Sequence, residues 1–175
     1  MSVTRRPIGD QDMDFLLHLY AGTREEELSV VDWTPEQKMV FLRQQFDAQH
    51  RHYQEHYAGA AFDLLLVDGR PAGRLYVARW ANTLRIVDIA LTREFRGRGI
   101  GTALVTELFA EADASGRSVS IHVETNNPAR RLYERLGFQD VGEHGVYKLM
   151  ERPVLSDGGA SARTESKGAS ATAVV

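Results

Sequence analysis

The chain has no cysteine. That excludes disulfides, thiolate nucleophiles and cysteine-bound metals, and it fits a cytoplasmic protein. There is no apolar run of about 18 residues, the length that crosses a bilayer, and the first residues carry no apolar signal region. Nor is there an excess of positive charge. Lys and Arg number 21 against 24 Asp and Glu, a net charge of −3, which argues against nucleic acid as the main partner. No internal repeat is present. What remains is 175 residues, 43% hydrophobic and 26% charged, the balance of a globular domain with a real core. From Leu155 onward Ser, Gly, Ala and Thr dominate, a composition that cannot offset ordering entropy. The expected organisation is one domain over residues 1–153 and a disordered tail over 154–175.

The stretch from Val87 to Leu104 organises the rest. Val87, Ile89 and Leu91 alternate with Asp88 and Ala90, the period of a strand. Gly97, Gly99 and Gly101 then free the backbone for a close turn, and Ile100, Ala103, Leu104 and Leu108 recur at helical spacing. A helix starting from such a turn presents unpaired N–H groups and the positive end of its dipole. That makes an anion site, usually filled by phosphate. It is not a dinucleotide fingerprint. Counted from Gly97, the last glycine position holds Thr102; counted from Gly99, it holds Leu104. No Gly-Lys-Ser/Thr follows, so it is not a P-loop.

Upstream, Val3–Arg6 reads as an edge strand ended by Pro7. A helix capped by Asp10 carries Met13, Leu16, Leu17 and Tyr20, and Gly22 can end it, leaving the charged run 23–28 as a loop. Thr34-Pro35-Glu36-Gln37 starts a second helix, to about Tyr57, with Met39, Leu42, Phe46, Tyr53 and Tyr57 as its apolar stripe. Within it, His52-Tyr53-Gln54-Glu55-His56 fits H-x-x-E-H, an inverted zinc-protease pattern. Nothing downstream marks a third ligand, so the histidines read as a polar flank and no metal is expected. Strands over 62–67, 73–79 and 84–91 follow as an antiparallel meander, with a turn at Asp68-Gly69. Val119, Ile121 and Val123 mark a further strand, parallel to the last because a crossover helix precedes it. Asn127-Pro128 opens a final helix that Gly137 stops, and residues 138–150 close as a hairpin.

Two motifs carry a family resemblance. Arg96-Gly97-Arg98-Gly99-Ile100-Gly101 fits the Arg/Gln-x-x-Gly-x-Gly/Ala loop of the GNAT N-acetyltransferase superfamily at every fixed position. Asn127-Pro128-Ala129-Arg130-Arg131-Leu132-Tyr133-Glu134-Arg135-Leu136-Gly137-Phe138 resembles that family's second signature; a commoner spacing selects Asn126 in place of Asn127. The resemblance covers about residues 84–150. It implies an α/β (α+β) fold, with a mixed, mostly antiparallel central sheet splayed between strands 4 and 5 and flanked by about four helices. It also implies acetyl-CoA as cosubstrate and a primary amine as acceptor, and it is compatible with a homodimer.

By that resemblance the backbone of Ile89, Ala90 and Leu91 binds pantetheine like a missing strand. The amides from Gly97 through Arg98, Gly99, Ile100 and Gly101 to Thr102 hold the pyrophosphate, with charge added by Arg96 and Arg98. Asn127 caps the last helix, and Arg130 or Arg131 reaches the 3′-phosphate. Tyr133 matches the tyrosine that protonates the leaving thiolate. For the base, Asp88 ranks first, with His122, Glu124, Glu26, Glu27 or a water chain as alternatives. Two other readings compete: a non-catalytic acyl-CoA binder, and a zinc hydrolase built on His52, Glu55 and His56.

Overall fold

A computed structural model describes residues 1–155 and the backbone of Ala173 and Val174. The disorder expected of residues 154–175 therefore falls almost wholly outside the described residues. The chain runs β1 (Val3–Pro7), α1 (Met13–Leu28), α2 (Pro35–His56), β2 (Ala61–Val67), β3 (Arg70–Arg79), β4 (Thr83–Leu91), α3 (Ile100–Ser115), β5 (Ser118–Glu124), α4 (Arg130–Leu136), β6 (Gln139–His144) and β7 (Tyr147–Arg152), with a two-residue β8 (Ala173–Val174). The sheet order is β1-β2-β3-β4-β5-β7-β6, and β8 lies beside β4. Pairings are antiparallel except β4 with β5 and β4 with β8. This is the mixed, mostly antiparallel sheet that the motifs implied.

One face of the sheet packs Leu75, Val77, Ile86, Ile89 and Leu91 against Ile100, Leu104, Val105 and Leu108 of α3 and Tyr133 of α4. The other packs Leu64 and Ala90 against Leu16, Leu19 and Tyr20 of α1 and Leu42 and Phe46 of α2. Tyr53 and Tyr57 continue that layer onto Tyr76, Ala78 and Val87. The start of α2 is reciprocally capped: the Gln37 N–H donates to Thr34 Oγ1 at 3.2 Å and the Thr34 N–H to Gln37 Oε1 at 2.9 Å.

Three expectations are corrected. Gly22 does not end α1, which runs on through the charged segment to Leu28. A mid-helix glycine costs about 1 kcal/mol; against that, Leu28 is buried and Arg24 ties back to Tyr20 and forward to Glu27. Met39 is 46% exposed. The inward stripe of α2 is Leu42, Phe46 and Tyr53, with Gln49 at the intervening helical position, where its carbonyl accepts from Arg74 Nη2 at 2.8 Å. Finally, β4 does not alternate strictly. Tyr76 pairs with Asp88 and Val77 with Ile86, so Val87 is an extra residue, a β-bulge. Val87 and Asp88 consequently both face α2, where Val87 packs on Tyr53 and Asp88 bonds to it.

Candidate functional site

The β4–β5 ladder pairs Thr83–Ile86 with Ser118–Ile121 and then stops, although β4 runs to Leu91 and β5 to Glu124. The two strands splay from the bulge onward. In that gap β4 keeps its pairing with β3 at Ile89 and Ala90, and on its other edge Ala173 and Val174 run parallel beside these two residues. The edge thus accepts an extended segment at the rungs where the sequence placed pantetheine.

Above the gap the chain turns through Gly97 and Gly99, at φ 70° and 80°. A Cβ on either would meet nothing within 4 Å, so glycine is needed for the left-handed backbone and the space above is open. The first bond of α3 runs from the Ala103 N–H to the Gly99 carbonyl at 3.0 Å. The amides of Ile100, Gly101 and Thr102 lie ahead of it, unpaired by helix geometry. A cleft of about 1510 Å³ opens there, lined by Leu91, Gly97, Gly99–Thr102 and, across it, Thr125–Leu132. Asn127 Oδ1 accepts from the Ala129 N–H at 2.9 Å, so its side chain caps the turn ahead of α4.

The basic residues divide. Arg96 Nε donates to the Leu91 carbonyl at 2.9 Å, clamping the loop to the end of β4. It lines a neighbouring cleft between α1 and α2, not the large one. Burial, then the nearby Arg93, hold it below the ordinary arginine value. Arg98 is exposed, with its guanidinium over the Phe95 ring at 5.6 Å. Arg130 is engaged by Glu134 at 3.3 Å and Asp140 at 2.9 Å. Arg131 is exposed on the wall of the large cleft, with no acid in ion-pair range among the described residues. Of the two arginines set against the 3′-phosphate, Arg131 is the freer.

Tyr133 is fully buried, and its hydroxyl has no hydrogen-bond partner among the described residues. Its ring packs edge-on to Phe138 at 5.6 Å. Burial, then the charge of Asp88, push its hydroxyl well above the usual tyrosine value, so it stays protonated and lies within electrostatic reach of the bulge.

Asp88 is placed otherwise than expected of a base. It is fully buried, and both oxygens are taken. Arg74 Nε donates to Oδ1 at 3.2 Å, and Arg74 Nη2 and the Tyr53 hydroxyl donate to Oδ2, each at 2.8 Å. Burial pushes the carboxyl up and the Arg74 guanidinium pulls it back. For Arg74, burial is outweighed by Asp88 and the tyrosines, and its value rises. Since arginine keeps its proton, Asp88 is the counter-ion of a buried pair. Sequence reasoning missed Arg74, Tyr53 and Gln49. The available signal was an arginine and an aspartate, each inside an apolar strand.

Among the other base candidates, Glu27 is tied to Arg24 at 2.9 Å, and Glu26 is exposed on α1. His122 Nδ1 lies 3.2 Å from Arg85 Nη1. A guanidinium only donates, so Nδ1 is the accepting atom of that contact. Glu124 is half-buried at the end of β5. The His52 and His56 rings stack at 3.9 Å and Glu55 is exposed. Among the described residues no three His, Cys, Asp or Glu side chains gather to hold a metal, and no helix is long and apolar enough to cross a membrane.

Comparison with known proteins settles the family. The profile of the acetyltransferase (GNAT) family matches residues 24–138. The chain belongs to that family. It is similar to a mycothiol acetyltransferase of Corynebacterium aurimucosum, 39% identical over 61 residues, 34% of this chain and 20% of that protein. It is also similar to an uncharacterized N-acetyltransferase of Methanocaldococcus jannaschii, 32% identical over 101 residues, 50% of this chain and 64% of that protein. The matches thus span between a fifth and just under two thirds of these relatives. Among solved structures, the PaiA N-acetyltransferase of Thermoplasma acidophilum in complex with coenzyme A superposes with a TM-score of 0.66 at 17% identity, over 87% of this chain and 99% of that one. That likeness shows the GNAT fold.

Proposed function

We propose that this GNAT protein transfers the acetyl group of acetyl-CoA to a primary amine by direct attack within a ternary complex. The observation that carries the reading is the splay: a β4 edge released from β5 that leads from a bulge to a glycine turn, with a cleft of about 1510 Å³ at its helix N-terminus. Pantetheine takes the edge at Ile89–Leu91, in competition with β8 for the same backbone groups. The pyrophosphate takes the amides of Gly97–Thr102, and Arg131 meets the 3′-phosphate.

The extra residue at Val87 takes backbone groups out of the β3–β4 ladder, so an N–H of the bulge can polarise the thioester carbonyl. The amine nitrogen attacks that carbon, the tetrahedral adduct collapses with loss of CoA thiolate, and the Tyr133 hydroxyl donates its proton to the sulfur. An amine with a pKa of about 10.4 is protonated at pH 7 by a margin of roughly 4.6 kcal/mol. With Asp88 and His122 Nδ1 already engaged, the acceptor enters as its free base and gives its proton to solvent, from which Tyr133 recovers the proton it donated.

The test is a thermal-shift titration with acetyl-CoA, wild type beside Gly99→Glu, followed by a CoA-release assay on an amine panel. Stabilisation of wild type alone, with turnover, is expected. A well-folded wild type that ignores acetyl-CoA refutes the site. Stabilisation without turnover of any amine leaves a non-catalytic acyl-CoA binder.

A further inference from the structure

The sheet face beneath α2 buries two arginines, and only one of them is bonded by an acid. Arg74 is 2% exposed and carries the full complement of Asp88. Arg85 is 5% exposed, and its partners are all neutral. Its Nε donates to Ser120 Oγ at 2.8 Å, Nη1 to His122 Nδ1 at 3.2 Å, and its guanidinium sits 5.0 Å from the centre of the Trp80 ring. No Asp or Glu oxygen among the described residues comes within ion-pair range of it. The side chain cannot shed its charge, and a buried charge that no acid contacts is unfavourable. Burial holds it below the ordinary arginine value, offset in part by the Tyr57 hydroxyl and, from beyond bonding range, by the Glu151 carboxylate on the strand next to Ser120.

Its place in the sheet suggests what the charge is for. Arg85 stands opposite Ser120 on the last rung but one of the β4–β5 ladder, at the closed floor of the splay. It lies two residues before Val87, about 7 Å along the strand, and on the same side. Beside it the wall is aromatic, formed by Tyr53, Tyr57, Tyr76 and Trp80.

We propose that Arg85 is a specificity-determining residue that receives a carboxylate of the acceptor, so that the substrate is an amino-carboxylate whose amine lies at the bulge. This rests on the acetyltransferase reading. The planar guanidinium fork matches a carboxylate, Ser120 and His122 fix its plane, and the aromatic wall covers the carbons between the two charges. The carboxylate is the α-carboxylate of a free amino acid or the acidic side chain near a peptide N-terminus.

The experiment measures CoA release with matched acceptors: free amino acids against their C-amides, and N-terminal dipeptide amides with Asp or Glu against Asn or Gln. The amide's amine is the less basic of the first pair, so intrinsic reactivity favours the amide and a preference for the acid must come from the protein. Wild type should prefer the carboxylate member of one pair at least tenfold in kcat/KM. Arg85→Met should abolish the preference and Arg85→Lys should restore part of it. Stabilisation of each variant by CoA reports an intact fold. Equal use of both members by wild type overturns the inference and leaves the acetyltransferase reading standing. If no amine turns over, that reading fails, and a thermal shift with CoA present decides the inference. Stabilisation by N-acetyl amino acids but not by their amides, lost in Arg85→Met, upholds it; no difference between them overturns it.

Discussion

Replacing Asp88 with Asn separates an anchoring role from a catalytic one. The wild-type carboxylate accepts three hydrogen bonds, two from Arg74 and one from Tyr53. In Asp88→Asn one oxygen becomes an NH2 group. Placed at the Oδ2 position, it confronts the Arg74 Nη2 and Tyr53 donors; flipped, it confronts Arg74 Nε. Either way a buried guanidinium loses its counter-ion. Removing one partner of a buried pair costs about 3–5 kcal/mol, and we take the lower end, about 3 kcal/mol, because Tyr53 can rotate to accept. For a domain of this size each kcal/mol moves Tm by roughly 2–4 °C, so the melt should fall by roughly 6–12 °C. Since the pair takes no proton in the reaction, the pH dependence of kcat/KM should keep its shape. The assay is thermal melting with and without acetyl-CoA, together with kcat/KM across pH. An unchanged melt with a hundredfold or greater loss of kcat and a missing pH limb would refute the anchoring argument and return Asp88 to the role of base.

Tyr133→Phe removes a buried hydroxyl without a partner. The unliganded protein should therefore melt at the same temperature or higher, while kcat falls by about 10²-fold or more and KM for acetyl-CoA holds; a lower melting temperature with unchanged kcat would mean the hydroxyl is structural. A Cβ at Gly73 would collide with the Ala90 carbonyl. Gly73→Ala should thus cost about 1–3 kcal/mol and, by displacing the β4 edge, weaken acetyl-CoA binding in a calorimetric titration; wild-type affinity in this variant would separate that edge from the cofactor. Gly22→Ala is the converse, since it lies inside α1 with nothing within 4 Å of a new Cβ, and denaturant unfolding should show a gain of about 1 kcal/mol. Asp12 accepts from both Arg6 terminal nitrogens, at 2.8 and 2.9 Å, and from the Gly9 N–H at 2.8 Å. The Arg6 bond, ahead of the opposing burial, holds its carboxyl below the usual value. A lowered folded value gives stability that is present above the unfolded value near pH 4 and lost as pH falls through the folded one. Asp12→Asn should flatten that acid limb in melts between pH 2 and 5, and an unchanged limb would sink the assignment.

What the sequence disclosed about this site was local. The Gly97–Gly101 turn, the Thr34–Gln37 cap and the Asn127–Phe138 helix each place their signal within about ten residues, and each stands in the structure at or near those positions. What it hid depends on partners far along the chain. The bulge at Val87 adds a residue on β4 against β3, and period-2 reading of β4 alone cannot register it. The continuation of α1 past Gly22 depends on the burial of Leu28 among residues of α2 and the sheet. Asp88 reads as a free base from its own strand and as a counter-ion only once Arg74, 14 residues earlier, is seen beside it.

The same long-range logic ties the polar network to the chemistry. A strand that bulges must find partners for the groups it turns out of register, and here the side chain next to the bulge is clamped from α2 by Tyr53 and from β3 by Arg74. The clamp fixes where the bulge amides point, and hence where a thioester carbonyl would be held. Arg85, two residues away and bonded only to Ser120 and His122, stands outside that closed network. The contrast is the reason for assigning one arginine to the scaffold and the other to the substrate. A frame that must not move is neutralised internally, whereas an arginine that no carboxylate contacts keeps its fork for the acceptor in that proposal.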